Sequence, residues 1–318
     1  SCIVSYLSAI TKVTSISKKM NKLLFTGASG FLGVNLKPLL KESFDVKTLG
    51  LTDEDTYNVN IANNIPEFNE PFEVILHAAG KAHIVPKTEE EKKLFFDVNY
   101  EGTKNLCKAL EKAHLPKAFI FVSTVAVYGL ETGENIKEEY PLNGDTPYAL
   151  SKIQAEQFLT EWCSKNNVVL SIIRPSLIAG PNPPGNLGAM IKGIKTGRYL
   201  SIAGGKARKS VLMVHDIARL LPALIEKGGV YNVCDDSQPT FRELEVLIAQ
   251  QSGKKLSQSI PYWLAKPMAL VGDLLGQKAP INSLKLSKIT ESLTFSNEKA
   301  KRELNWQPLN VLNNFKIE

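Results

Sequence analysis

Short apolar runs alternate with amphipathic stretches along this chain. The runs fall at residues 23–26, 45–49, 72–76, 118–122, 168–174 and 228–234, with a brief strand-like piece at 57–61. Runs of this length, mostly apolar and closed by small or polar residues, read as strands buried in a sheet. Between them, residues 34–43 and 94–113, and the stretch opening at Pro147, carry apolar positions at helical spacing. Residues 87–93 read as a solvated charge run. Further on, 241–251 reads as an amphipathic helix. Residues 262–275, apolar and containing Trp263, read as a packing helix or lid rather than a membrane segment. Strands alternating with helices predict an α/β fold with a parallel sheet, to which 228–234 returns as a late strand.

One stretch gives the alternation its meaning. KLLFTGASGFLG, residues 22–33, is a strand running into glycines and out as a helix. That arrangement gathers unpaired backbone N–H groups and the positive end of a helix at one point, a natural phosphate site. Gly27 permits a tight turn, Gly30 lets a pyrophosphate approach and Gly33 lets helix and strand pack closely. Ser29, Phe31 and Leu32 belong to the same cofactor loop. The expected fold is therefore a Rossmann-type doubly wound parallel sheet. The next strand ends at Gly50, where an acid would bond the adenosine ribose, with Asp53, Glu54 and Asp55 just beyond. No Arg or Lys directly follows to hold a 2′-phosphate, so NAD and NADP both stay open. The strand at 72–76 delivers His77, Ala78, Ala79 and Gly80, small residues that let a flat ligand lie on the backbone. His77 itself is either a packed strand-end histidine, the favoured reading, or a group facing the cofactor.

A second constellation adds chemistry. The strand at 118–122 ends in Ser123-Thr124, and Asp145, Thr146 and Pro147 start a helix. Tyr148 and Lys152 are then four apart on one helix face. A phenol with a pKa near 10 is a poor base at neutral pH, and a nearby ammonium stabilises its phenolate. The Thr124 hydroxyl, from a separate strand end, can bond the same substrate oxygen. Tyr148, Lys152 and Thr124 together are the candidate catalytic set.

Composition narrows the class without changing it. The 318 residues are 43% hydrophobic and 22% charged, as in ordinary globular proteins. No apolar run approaches the roughly 20 residues that span a bilayer, so no membrane partner is expected. Cys2, Cys107, Cys163 and Cys234 are scattered, which suggests neither a disulfide framework nor a metal site, and a reducing, cytoplasmic setting. Half of the +6 net charge comes from Lys12, Lys18 and Lys19, so nucleic acid is not expected as a partner. Residues 1–19 read as a leader or added segment outside the fold, with a targeting peptide the alternative.

TGASGFLG, HAAG, Asn99, STVAVYG, YALSK and Arg174-Pro175, in this order, resemble the extended short-chain dehydrogenase/reductases. More narrowly, the chain resembles their NAD-dependent epimerase/dehydratase branch, which works on nucleotide sugars. The resemblance runs from about Lys22 to Pro308 and includes ELNWQP. It implies a trio of Thr124, Tyr148 and Lys152, with Tyr148 the acid/base, Lys152 on the nicotinamide ribose and Asn99 supporting the site. The family's dehydratases carry Asp-Glu after the threonine. Here Val125 and Ala126 stand there, which implies a C4 epimerase or 4-ketoreductase instead. Asn186 and Leu187 fall where relatives contact the substrate diphosphate. Lys209, beside Arg208, falls at the usual diphosphate arginine, and a solvated basic turn is the alternative. Asp216 reads as a helix cap. The implied division is a dinucleotide-binding domain, 20–176 with the strand at 228–234, and a smaller discontinuous substrate lobe, 177–227 and 235–318. A UDP-sugar substrate and a homodimer through the helix of Tyr148 complete the expectation. The alternatives are an NADP-dependent reductase of a non-sugar ketone and a non-catalytic dinucleotide sensor.

Overall fold

Leu23, Leu24 and Phe25 are fully buried in strand β1 (Lys22–Thr26). A strand with no wet face must lie in a sheet covered on both sides. The computed structural model describes residues 20–82, 85–256, 258–275, 279 and 281–318. The expected leader, 1–19, and His83-Ile84 of the run after Gly80 lie outside the described residues. After β1 come helix α1 (Phe31–Leu40), β2 (Asp45–Gly50), β3 (Tyr57–Asn58) and β4 (Val74–His77). Next are α2 (Glu89–Phe96), α3 (Gly102–Ala113), β5 (Ala118–Val122), β6 (Gly133–Ile136) and α4 (Pro147–Asn166). Then follow β7 (Val169–Pro175), β8 (Leu177–Ala179), α5 (Gly185–Lys195), β9 (Val211–Met213), α6 (His215–Lys227) and β10 (Gly229–Val233). The chain closes with α7 (Phe241–Gln251), α8 (Tyr262–Leu275), α9 (Ser283–Thr290), β11 (Leu293–Phe295), α10 (Glu298–Leu304) and α11 (Val311–Asn314).

The main sheet has seven parallel strands in the order β10-β7-β5-β4-β1-β2-β3. The strand order reverses between β1 and β4, which opens a crevice at their carboxyl ends. Alternate residues of each strand face opposite layers. Leu23, Phe25 and Leu76 pack with Leu36 of α1 and with Ile217, Leu220 and Leu224 of α6. Leu24 and Ile75 pack with Leu106 of α3 and Leu159 of α4. A separate cluster joins β8, β9, α5, α7 and α11, and a satellite joins Ala265, Ala269, Ile281 and Leu286 to Ile202.

Three features depart from the expected layout. The helix expected at 94–113 is α2, one π turn at Asp97–Glu101 and α3. Five of the seven residues of the charge run are therefore helical: the Thr88 hydroxyl accepts from Glu91 N at 3.2 Å, and Glu89, Glu90 and Glu91 sit at the helix's positive end. α6, in the stretch expected to form the substrate lobe, packs in the layer covering the main sheet. Finally, Asp216 is no cap. It lies inside the first turn of α6, fully buried, and accepts from Leu309 N at 2.8 Å and Trp306 Nε1 at 3.4 Å as well as from Arg219. Burial raises its pKa, with those bonds opposing. Its carboxylate ties the ELNWQP stretch to the sheet.

A buried ion pair knits the layers together. Arg174 on β7 donates to Glu156 on α4 through Nε at 3.1 Å and Nη2 at 2.6 Å. Glu156 also accepts from Ser123 Oγ at 2.5 Å. Arg174 Nη1 reaches Tyr128 OH at 3.0 Å, and that hydroxyl donates to Asn232 Oδ1 on β10 at 2.6 Å. Removing one partner of such a pair strands a buried charge, at a cost of about 3–5 kcal/mol. Glu156→Ala should therefore lose about that much stability in a denaturant titration, and pairing it with Arg174→Leu should restore most of the loss.

Candidate active site

The glycine loop behaves as its spacing implies. Gly27 has φ +77°, and a Cβ there would lie 2.7 Å from Ala79 N, so the turn needs glycine on both counts. A Cβ on Gly33 would run into the Ala28 backbone. At Gly30 the nearest neighbour of a Cβ is Gly27 O at 3.4 Å, which leaves the side facing the crevice open. A cleft of about 410 Å³ lies there. Gly27, Gly30, Phe31 and Leu32 form one wall, and Ala78 and Gly80, after β4, form the floor. Val122, Ser123 and Thr124 line it from β5, Tyr148 and Lys152 from α4, and Pro175–Ile178 and Pro184 close the far side. Three of the expected groups, Thr124, Tyr148 and Lys152, thus meet in one cleft at the carboxyl ends of the strands.

Local structure explains their placement. Thr146 caps α4, its hydroxyl accepting from Ala149 N at 3.1 Å, and Pro147 occupies the first turn. Tyr148 and Lys152 follow one turn apart. Lys152 is buried, donates to Val122 O at 2.9 Å and stands 4.7 Å from the centroid of the Phe121 ring. Burial pushes its ammonium down to about 8, with the Glu156 carboxylate opposing. Burial raises the Tyr148 phenol, and the Thr124 hydroxyl beside it pulls the other way. The ammonium points at a carbonyl and an aromatic face, so its action on the phenol is not expressed in this arrangement. Thr124 caps the short 3₁₀ turn Val125–Tyr128, where neither Val125 nor Ala126 carries a proton-transfer group.

Other expected site residues stand behind the cleft. Asn99 lies in the π turn, where its Oδ1 accepts from Lys81 N at 2.7 Å and its Nδ2 donates to Ser151 Oγ at 2.9 Å. The turn leaves the Asn99 carbonyl to the Thr103 hydroxyl at 2.7 Å. That hydroxyl meets His77 Nε2 at 2.8 Å, while His77 Nδ1 faces Thr26 Oγ1 at 2.6 Å. His77 is fully buried, and burial first, then the Lys152 charge, lowers it to about 3. It is the packed histidine and does not line the cleft. Ser29, Gly33 and Ala79 contribute backbone to the loop without lining it.

The expected diphosphate contacts do not converge. Leu187 is buried in the cluster with Met190 and Ile248, and Asn186 is exposed on α5. Arg208 Nη1 donates to Gln238 O and Lys209 Nζ to Glu291 O, each at 3.0 Å, and neither lines the cleft. Sequence reading passed over Lys81, Ser123 and Ser176, which do. Ser176 Oγ is the one buried side-chain polar atom among the described residues without a partner. Its position two residues past Arg174 on a strand end was the available signal. Asp55 fills the gap left at Gly50: a Cβ there would overlap its carboxylate, whose Oδ2 accepts from Thr52 N at 3.1 Å and Thr52 Oγ1 at 2.7 Å. Among the described residues no group of three His, Cys, Asp or Glu could hold a metal ion.

Comparison with known proteins agrees with this geometry. A protein of Escherichia coli O157:H7 named N-acetyl-alpha-D-glucosaminyl-diphospho-ditrans,octacis-undecaprenol 4-epimerase is 30% identical over 298 residues, 86% of this chain and 87% of the relative. The UDP-glucose 4-epimerase of Vibrio cholerae is 28% identical, covering 93% of each chain. The solved structure of RMD from Pseudomonas aeruginosa complexed with NADPH superposes with a TM-score of 0.71 at 22% identity, over 92% of this chain and 95% of that one. A family model described as NAD dependent epimerase/dehydratase matches residues 23–234. With its glycine loop, its doubly wound sheet and these relatives, the chain belongs to the NAD dependent epimerase/dehydratase family.

Proposed function

We propose that this chain is a 4-epimerase acting on a sugar carried by a diphosphate, with a nicotinamide dinucleotide held along the glycine loop. The observation that carries the reading is the meeting of Thr124, Tyr148 and Lys152 in one cleft beside the unpartnered Ser176 hydroxyl. The residues present fit a dinucleotide. Gly27 and Gly30 leave a backbone cradle, and at Gly80 a Cβ would crowd Lys152 Nζ and Asn99 Oδ1 at 3.1 Å. The E. coli and V. cholerae relatives, both named as 4-epimerases, support the reaction class.

When bound, the nicotinamide supplies a two-electron acceptor and donor beside the sugar carbon. Everything else falls to the chain. Thr124 and Tyr148 bond the C4 oxygen from two sides, and Tyr148 takes its proton and returns it. Lys152, released from Val122 O, holds the nicotinamide ribose, and in that position its positive charge eases ionisation of the phenol. Asn99 fixes the Lys81 backbone against α4 and so sets the floor of the site. Ser176 gives the substrate a hydroxyl partner. With Val125 and Ala126 after Thr124, the chain has no acid–base pair there for eliminating water, so a 4,6-dehydratase reaction is not part of the proposal. Asp55 takes the place of the acid missing at Gly50 and favours NAD over its 2′-phosphorylated form, because a carboxylate repels that phosphate. The second reading is a 4-ketoreductase that exchanges NADPH at each turnover.

Tyr148→Phe should reduce turnover of a UDP-sugar at least a hundredfold while leaving dinucleotide affinity unchanged. Equal activity of the variant would overturn the role, and the absence of turnover from wild type too would favour a dinucleotide sensor. Mass spectrometry of nucleotide released on denaturation separates the two reactions: retained NAD supports the epimerase, and NADP or an empty site supports the reductase. Asp55→Ala should raise relative affinity for NADP, measured by titration of cofactor fluorescence. Because Lys152 sits near 8, its charge is lost as pH rises through that value. Dinucleotide affinity should therefore fall between pH 7 and 9, and Lys152→Arg, charged throughout, should flatten the fall.

A further inference from the structure

Helix α8 is inside out. Its buried positions are small, Ala265, Ala269 and Gly272, and Gly272 has no room for a Cβ against Ile281 O. Its large apolar residues stand in solvent: Trp263 is 74% exposed, Leu270 57%, Val271 62% and Leu274 87%. These four, at i, i+7, i+8 and i+11, share one helix face, directly opposite the buried small residues. An ordinary surface helix does the reverse. A contiguous exposed apolar face of this kind marks a docking surface.

The surroundings indicate what docks there. Residues 252–290 carry Lys254, Lys255, Lys266, Lys278, Lys285 and Lys288 against a single acid, Asp273. Lys254, Lys255 and Lys266 are exposed, whereas Lys288 faces Glu131 at 3.8 Å and Lys285 donates to Ala279 O. An apolar helix face with an exposed lysine, Lys266, on the same helix, an excess of lysines in the flanking sequence and an indole at one end matches the surface of an anionic bilayer. Fourteen residues span about 21 Å as a helix, too short for a hydrocarbon core of about 30 Å. Among the described residues no helix is long and apolar enough to cross a membrane. A helix of this length and pattern suits the interface plane rather than a span.

We propose that α8 seats the protein on an anionic membrane surface, so that a sugar diphosphate whose other end is a membrane lipid reaches the cleft. The substrate half of this statement rests on the function proposed above, since the E. coli relative is named for a polyprenol-linked sugar. The membrane half rests on α8 alone. It goes beyond the expectation of no membrane partner, which rested on run length.

Trp162 and Trp306 are buried, so an environment-sensitive change in tryptophan emission on lipid contact would come from Trp263. The full chain, without substrate, is mixed with vesicles of phosphatidylethanolamine and phosphatidylglycerol and sedimented. We expect it to sediment with them and its tryptophan emission to shift to the blue. Leu270→Glu with Leu274→Glu should lower the bound fraction at least tenfold and abolish the emission shift, with an unchanged thermal midpoint and unchanged turnover of a water-soluble UDP-sugar. Failure of wild type to bind, or undiminished binding by the double variant, would overturn the proposal. So would light scattering that shows a dimer dissolved by the double variant with no vesicle binding. Vesicle binding without turnover of any sugar diphosphate would count against the proposed reaction and leave the membrane surface standing.

Discussion

The Arg174–Glu156 pair is the constraint on which the site depends. Glu156 lies one helical turn beyond Lys152 on α4, and Arg174 lies two residues before Ser176 on β7. Through Ser123 the same carboxylate holds the residue that precedes Thr124. One buried ion pair thus positions three walls of the cleft: the end of β5, the Tyr148–Lys152 turn of α4 and the exit from β7. Two desolvated charges are an expensive way to join elements, and apolar packing often does it as well. A guanidinium bonding in a fixed plane, however, sets angles that methyl groups do not. In the function proposed above the hydroxyls of Thr124 and Tyr148 meet one oxygen, and the pair supplies that definition.

A second consequence of the same charges is electrostatic. Lys152 is kept from water yet feels, one helical turn away, the carboxylate that partly compensates its burial. Its ammonium is therefore poised near neutrality rather than fixed. Under the function proposed above, a dinucleotide would bring ribose hydroxyls to Lys152 and its phosphates to the glycine loop, and anions in the cleft favour the charged amine. The site's basic character would then belong to the loaded protein more than to the bare chain.

Much of the fold was legible because its signals are local. The strand of residues 118–122 and the helices of 241–251 and 262–275 coincide with β5, α7 and α8, since each is bounded by abrupt changes of composition. Gly27 and Gly33 were legible because a tight turn and a close helix–strand contact admit no other residue. The misses share a different cause: each depended on what lay across the fold. Nothing near Asp216 in the chain announces Leu309 and Trp306, so a capping position was the natural reading. Leu187, beside an asparagine in a proline-rich loop, turns inward because α7 waits there. The π turn at Asn99 costs no change in composition, and α2 began before its apolar periodicity did. The threonine at 88, with a glutamate three residues on, was the signal for that earlier start.

Strand β10 has a bearing on how the molecule comes into being. It pairs with β7, yet more than fifty residues of chain separate Pro175 from Gly229. Until that later segment is available, β7 is an open sheet edge, and the Tyr128 hydroxyl beneath Arg174 has no Asn232 to meet. Closing so long a loop is slow, because its entropy is lost before its contacts form. The glycine loop and the Tyr148 helix therefore leave the ribosome well before the sheet that holds them is finished. A chain cut just after residue 176 would carry Thr124, Tyr148 and Lys152 and still expose a sticky strand edge, prone to aggregation rather than to function.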